Sequence, residues 1–169
     1  MVLLNVALMK YTDWESPIGS LLLVGNGETL NYLSFLWGKV RIDPVRGWVR
    51  QDESFGEVKT QLGEYFSGSR RNFDLKLVAE GTSFQKSVWD ALVDIPYGET
   101  RSYMEIANMI GNSRAVRAVG AANGRNPLPI VVPCHRVIGA DKSLTGYGGG
   151  LGKKTFLLNL ESVVSVAKG

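Results

Sequence analysis

The chain of 169 residues contains one cysteine, Cys134, and one histidine, His135. A single thiol excludes an intrachain disulfide, and a structural zinc site built on several thiolates. A lone free thiol suits a reducing compartment. No uninterrupted apolar run reaches the roughly 20 residues of a membrane-spanning helix. The apolar start, residues 1–10, lacks a positively charged leading segment and a small-residue cleavage site, so it does not read as a signal peptide. There is no internal repeat and no low-complexity tail. An intracellular, soluble, cytoplasmic protein is the expectation.

What is there is 44% hydrophobic residues, enough for one sizeable core or two small lobes packed together. The net charge of +3 is unevenly spread. Residues 1–75 carry 8 Lys+Arg against 9 Asp+Glu, whereas residues 76–169 carry 11 against 7. The basic half also holds Cys134. A polyanionic partner suits such a half, as does an ordinary basic surface.

Periodicity divides the chain in the same way. Two apolar runs flank Gly25-Asn26-Gly27, a pattern that predicts two antiparallel strands joined by a tight turn. Phe55, Val58, Leu62 and Phe66 fall at helical spacing, with Ser54 as candidate N-cap and Gly68 past the end. Residues 71–78 alternate apolar and polar and predict a strand, while residues 38–52 give no clear pattern. The expectation is an α/β N-terminal lobe, a small antiparallel sheet with a helix, over residues 1–78. A mainly α C-terminal lobe over residues 79–169 follows a joint at "AEGTSFQ".

In that second lobe Phe84, Val88 and Leu92 mark a helix closed by Pro96. Residues 102–110 predict another, with Tyr103, Ile106 and Ile110 on one face. Residues 114–123 predict a third, with Ser113 as N-cap. A three-residue glycine turn between the last two makes a helix-turn-helix pattern. "KKTFLLNLE" reads as an amphipathic helix ending near Glu161.

Several stretches could carry chemistry. The third of these helices bears Arg114 and Arg117 beside Ala115, Ala118, Gly120, Ala121 and Ala122. Small side chains admit a close surface: nucleic acid met by the arginines, or a neighbouring helix with the arginines in solvent. Cys134 at its ordinary pKa of roughly 8.5 is only about 3% thiolate at neutral pH, so a nucleophile needs a helper, and His135 adjoins it. Neighbours in an extended chain point to opposite sides, so direct contact requires a turn or a bridging water. A carboxylate should orient the imidazole, and Glu161 is the candidate. An isolated cysteine is also a common buried apolar residue. "SLTGYGGGLG" fits neither the P-loop nor the dinucleotide fingerprint. It reads as a mobile turn whose N–H groups can face a small polar ligand beside Tyr147.

Taken in order, "FQKSVW", "IPYGETRSYMEIA", "RAVGAANGRNP", "IVVPCHRVIG" and "LTGYGGG" resemble the O6-alkylguanine-DNA alkyltransferases, of the stand-alone bacterial and archaeal type. The match runs over about residues 82–161; "ESPIGSLLLV" in the first lobe is similar but less specific. The resemblance implies a ribonuclease H-like first lobe and a protein that flips an alkylated guanine out of duplex DNA. The O6 alkyl group, and that of O4-alkylthymine, would pass irreversibly to Cys134, once per molecule and with no cofactor or metal. His135 would take the thiol proton through a water, Glu161 would hold His135, and Tyr103 would crowd the target phosphate and assist charge at the base. Asn126 would tie the recognition helix to the cysteine segment. Arg117 would fill the vacated stack in the minor groove, with Ser113, Arg114, Ala118, Ala121 and Met104 as further DNA contacts. Tyr147, Gly148, Gly149, Pro129 and Val137 would line the guanine pocket.

The implied partner is double-stranded DNA carrying O6-alkylguanine, not a membrane. A nucleoid-associated monomer able to cluster along DNA is expected. Some members carry a first-lobe zinc site of cysteine and histidine, for which this chain has no residues there. Gly148 stands where some members have serine, which bears on the choice between methyl and larger groups. Two other classes compete: a lesion-recognition module that flips alkylated guanine without chemistry, and a multiple-turnover Cys-His hydrolase. Cys134 itself argues against the first, and the basic, helix-paired half against the second.

Overall fold

The computed structural model describes residues 8–37 and 41–167, with side chains through residue 162. Residues 1–7, part of the apolar start, lie outside the described residues. Among the described residues no helix is long and apolar enough to cross a membrane.

The first lobe is built on strands β1 (Lys10–Ser16), β2 (Gly19–Gly25), β3 (Leu30–Phe35) and β4 (Val49–Arg50), in the order β3-β2-β1-β4. The first three pair antiparallel, and β4 adds to β1 in parallel, so the sheet is mixed. The run Leu21-Leu22-Leu23-Val24 is buried throughout, as expected of a central strand. The β2–β3 connection is longer than a two-residue turn. Asn26 Oδ1 accepts the N–H groups of Glu28 and Thr29 at 2.9 and 2.8 Å, and Gly27 takes the positive φ of 101°.

Helix α1 (Gly56–Phe66) follows a single 3-10 turn, Asp52–Phe55. Ser54 lies inside that turn and does not cap; the N-cap position is Phe55, without a side-chain bond. Gly68 past the end takes φ 80°. The alternating segment 71–78 begins in a bend and forms no strand ladder, only one bridge between Leu30 and Leu77. Its backbone is met by a side chain instead. Gln61 of α1 donates to the Asp74 carbonyl at 2.9 Å and accepts the Asp74 N–H at 2.8 Å.

The second lobe holds α2 (Ser83–Val93), α3 (Tyr103–Met109), α4 (Val116–Gly124) and α5 (Leu151–Ala167). Thr82 and Gln85 form a capping box at α2, and Ser102 and Glu105 form another at α3. Each is worth about 1 kcal/mol. Helix α4 starts later than its sequence suggests. Ala115 N–H closes a turn onto the Asn112 carbonyl at 3.0 Å, so Ser113 and Arg114 sit in that turn. Ser113 is therefore no cap, and Arg114 precedes the helix. Helix α5 continues past Glu161 to Ala167. A short parallel pair, β5 (Arg101–Ser102) and β6 (Val137–Ile138), ties the start of α3 to the cysteine segment.

One apolar core runs through both lobes, from Leu21, Leu23 and Leu62 to Val88, Leu92, Ile106 and Leu157. Each fully buried leucine contributes roughly 1.5–3 kcal/mol. Two polar ties reinforce it. Trp89 Nε1 of α2 donates to the Ala122 carbonyl of α4 at 2.9 Å. Leu33 N–H of β3 donates to the Pro127 carbonyl at 2.9 Å, linking the sheet to the chain that leads into the cysteine segment.

Candidate active site

That chain turns sharply. Ile130 takes φ 75°, a strained value for a β-branched residue, and is buried. Asn126 holds the turn on both sides. Its Nδ2 donates to the Val132 carbonyl at 2.8 Å, and its Oδ1 accepts Leu128 N–H at 3.0 Å. The chain then winds into a 3-10 turn, Cys134–Arg136. Cys134 and His135 are therefore not in extended chain, and both are buried.

His135 Nε2 lies 2.7 Å from Glu161 Oε1. Burial would push the Glu161 carboxyl up; hydrogen bonds and charge from His135 and Arg136 outweigh it and hold it at about 2. An ionised carboxylate only accepts, so Nε2 carries the proton and Nδ1 is the bare base. Burial pushes the imidazole below its ordinary range, against the pull of Glu161, so it is neutral at pH 7. Nδ1 is buried without a partner among the described protein groups. Burial also pushes the Cys134 thiol up to about 11, against the lowering influence of Asn126 and Lys154. The resting sulfur is thus a thiol beside an unused base.

Sequence reasoning identified Glu161 but missed the groups that hold it. Arg136 donates to Oε2 through Nε at 3.0 Å and to Oε1 through Nη2 at 2.9 Å. Tyr65 Oη of α1 donates to Oε1 at 2.8 Å. A charge inside the apolar run "PIVVPCHRVIG" was the signal for Arg136. Lys154, with no solvent exposure, was also missed. It stands seven residues from Glu161 and three from buried Leu157, hence on one helical face. Its Nζ donates to the carbonyls of Val137 and Thr145 at 2.5 and 3.0 Å. Tyr65 shares a face with Val58 and Leu62, and nothing in that pattern marks its hydroxyl.

Cys134 opens on a small pocket. Asn126, Pro129, Tyr147, Gly148 and Gly149 line it, and the first lobe adds Leu33, Phe35 and Ile42, which the sequence did not suggest. Gly149 packs so closely that a Cβ there would lie 2.7 Å from a Phe35 ring carbon. Val137 does not line this cavity. Its side chain is fully buried and its carbonyl faces Lys154.

On the outer side, α4 exposes Arg117, Ala118 and Ala121 and buries Val119, Ala122 and Asn123. The small residues thus lie on both faces of the helix. Ser113 and Arg114 are exposed in the preceding turn, and Met104 is exposed on α3. Tyr103, half-buried at the start of α3, packs near Gly120, and its Oη donates to the Thr145 carbonyl at 2.9 Å.

Known proteins resemble this chain in sequence and fold. The family description "6-O-methylguanine DNA methyltransferase, ribonuclease-like domain" matches residues 9–79, and the DNA binding domain of the same family matches residues 83–163. A methylated-DNA–protein-cysteine methyltransferase of Methanosarcina acetivorans is 58% identical over 153 residues, 90% of this chain and 98% of that protein. One from Mycobacterium tuberculosis is 50% identical over 155 residues, 91% and 93% of the two chains. The crystal structure of Mycobacterium tuberculosis OGT in complex with DNA superposes with a TM-score of 0.86 at 50% identity, covering 92% of this chain and 94% of that one.

Proposed function

This chain belongs to the 6-O-methylguanine DNA methyltransferase family, and from that premise we propose how its residues divide the work. The protein is a methylated-DNA–protein-cysteine methyltransferase that repairs DNA by moving an alkyl group onto cysteine. Cys134 is the acceptor, since the chain has no other cysteine. The observation that carries the assignment of roles is the buried 2.7 Å contact between His135 and Glu161, next to a thiol that opens on a cavity.

In this reading the flipped base enters the cavity between Tyr147 and Pro129, with the backbone of Gly148 and Gly149 against its edge. With its thiol held up near 11, Cys134 is only about one part in ten thousand ionised at neutral pH. The proton must leave as the reaction proceeds. It passes to His135 Nδ1, through a water, and Glu161 stabilises the imidazolium through Nε2. The sulfur then forms a bond to the alkyl carbon as the carbon–O6 bond breaks. The electron pair goes to O6 and the guanine ring, Tyr103 assists that charge, and the proton finally resides on guanine. The thioether has no group to hydrolyse it, so each molecule acts once.

We read α3, the turn and α4 as a helix-turn-helix set in the minor groove. Arg117 fills the stack and offsets part of the few kcal/mol that flipping costs. Ser113, Arg114, Ala118, Ala121 and Met104 meet the DNA around it. Residues 79–169 carry this work, and residues 1–78 form a supporting unit. O4-alkylthymine is the second substrate, and double-stranded DNA in the cytoplasmic nucleoid is the partner.

The test is a mass spectrum. After incubation with duplex DNA containing O6-methylguanine, the Cys134 peptide should gain one methyl group, one per molecule. Cys134→Ala should bind the same DNA without transfer. An unchanged peptide mass after prolonged contact overturns the reading, and so does turnover above one equivalent.

A further inference from the structure

Glu161 is the meeting point of the two lobes. Its Oε1 accepts three hydrogen bonds: from His135 at 2.7 Å, Arg136 at 2.9 Å and Tyr65 at 2.8 Å. The first two donors come from the cysteine segment. The third comes from α1, 96 residues away in sequence and in the other lobe. Tyr65 has no solvent exposure and is fixed on several sides. Its ring meets Phe66 and Phe73 at 5.4 Å and Tyr97 at 6.2 Å. A packed ring bearing one hydroxyl on a buried carboxylate does more than fill space, because an apolar phenylalanine would fill the same volume without desolvating an O–H.

We propose that Tyr65 is a positioning residue for alkyl transfer: its hydroxyl fixes the Glu161 oxygen that holds His135 and takes a share of that oxygen's charge. The first lobe thereby sets the basicity of the histidine that receives the thiol proton. The inference rests on the reading of His135 as proton acceptor.

The sign follows from the sharing of one oxygen. While Tyr65 donates, part of the negative charge on Oε1 is spent on a hydroxyl, and His135 feels less of it. Without the hydroxyl, Glu161 pulls harder on the imidazole and favours the imidazolium. The other groups around the pair do not substitute for this hydroxyl. Arg136 in the cysteine turn and Lys154 on α5 both disfavour charge on His135. The Tyr97 hydroxyl, in the segment after α2, has no hydrogen-bond partner among the described residues, and Arg71 and Arg136 lie over its ring at 5.3 and 5.6 Å. Cys134 and Tyr147 face the cavity as neutral groups, each held protonated by burial.

The chain has a single histidine, so selective ¹⁵N-histidine labelling reports on His135 alone. The experiment compares wild type, Tyr65→Phe and Phe66→Leu by imidazole NMR titration and by single-turnover methyl transfer across pH. In Tyr65→Phe the His135 titration should move to higher pH by about half a unit or more, the loss of one of the three hydrogen bonds to the Glu161 oxygen that holds it. The acidic limb of the transfer rate should move with it, at unchanged affinity for DNA. Phe66→Leu, which loosens the same packing but keeps the hydroxyl, should lower the melting temperature and leave both pH curves in place. Unmoved curves in Tyr65→Phe, or equal shifts in both variants, overturn the inference. If Tyr65→Phe does not fold, the wild-type spectrum decides: a tyrosine O–H hydrogen-bonded to Glu161 keeps a slowly exchanging hydroxyl proton, and a freely exchanging one overturns the inference. Failure of wild type to accept methyl overturns the underlying function instead, so the two failures are distinguishable.

Discussion

The Lys154 ammonium donates to the Val137 carbonyl at 2.5 Å from a side chain with no solvent exposure. The same nitrogen reaches the Thr145 carbonyl at 3.0 Å, so one residue of α5 ties β6 to the glycine-rich loop. Burial lowers the pKa of this ammonium, opposed by Cys134, so the carbonyls supply its compensation. Lys154→Met should lower stability by about 1–3 kcal/mol, the cost of leaving buried carbonyls without a donor. It should also free the loop. Urea unfolding measures the first effect, and faster tryptic cleavage after exposed Lys142 measures the second.

Glu161→Gln removes the counter-charge of a guanidinium that is itself buried. Breaking such a pair from one side costs about 3–5 kcal/mol. The variant should unfold at lower denaturant and transfer methyl on the order of 100-fold more slowly, because His135 loses the group that stabilises its charged form. Unfolding curves and single-turnover rates measured on the same preparation check both.

Stability should form a plateau between two limbs. The folded pKa of Glu161 is depressed from 4.5 to about 2. Its contribution is therefore full above about pH 4.5 and is lost as pH falls toward 2, about 3 kcal/mol in all. His135, also depressed, adds to the loss as pH falls below its ordinary value of 6.5. The Cys134 thiol is raised from 9.0 to about 11. Its contribution is full below pH 9 and is lost as pH rises toward 11. Melting temperatures measured from pH 3 to 11 should trace this shape, and Cys134→Ala should flatten the alkaline limb.

Arg117 is exposed on the helix face that carries Ala118 and Ala121. Arg117→Ala should slow repair of duplex DNA on the order of tenfold, since nothing then fills the vacated stack. Reaction with the free alkylated base should be unchanged. Equal effects on both substrates would show that Arg117 acts elsewhere.

Much of the fold was legible because local chemistry decides it. The spacing of Val58 and Leu62, and of Val88 and Leu92, marks the buried faces. The capping boxes of Thr82 with Gln85 and of Ser102 with Glu105 are local signals of the same kind, which sequence reasoning did not use. Where local signals misled, a partner from another element or a competing turn had changed the outcome. Residues 71–78 alternate like a strand, yet Gln61 occupies the backbone groups that a neighbouring strand would need. Ser113 suits an N-cap, yet the Asn112–Ala115 turn comes first.

By itself, the sequence determined that one thiol and one imidazole stand side by side, that a basic half surrounds them, and that the ordered motifs match one repair family. Those facts depend only on which residues are present and in what order. Tertiary structure decided the rest, because distances between remote residues are not written in spacing. Only the fold turns Cys134–Arg136 away from extended chain, brings Glu161 within 2.7 Å of His135, and withdraws Lys154 from water. Only the fold sets a hydroxyl from the first lobe on the carboxylate of the second. The role we propose for the cysteine rests on burial and on those hydrogen bonds, and both are properties of the packed chain.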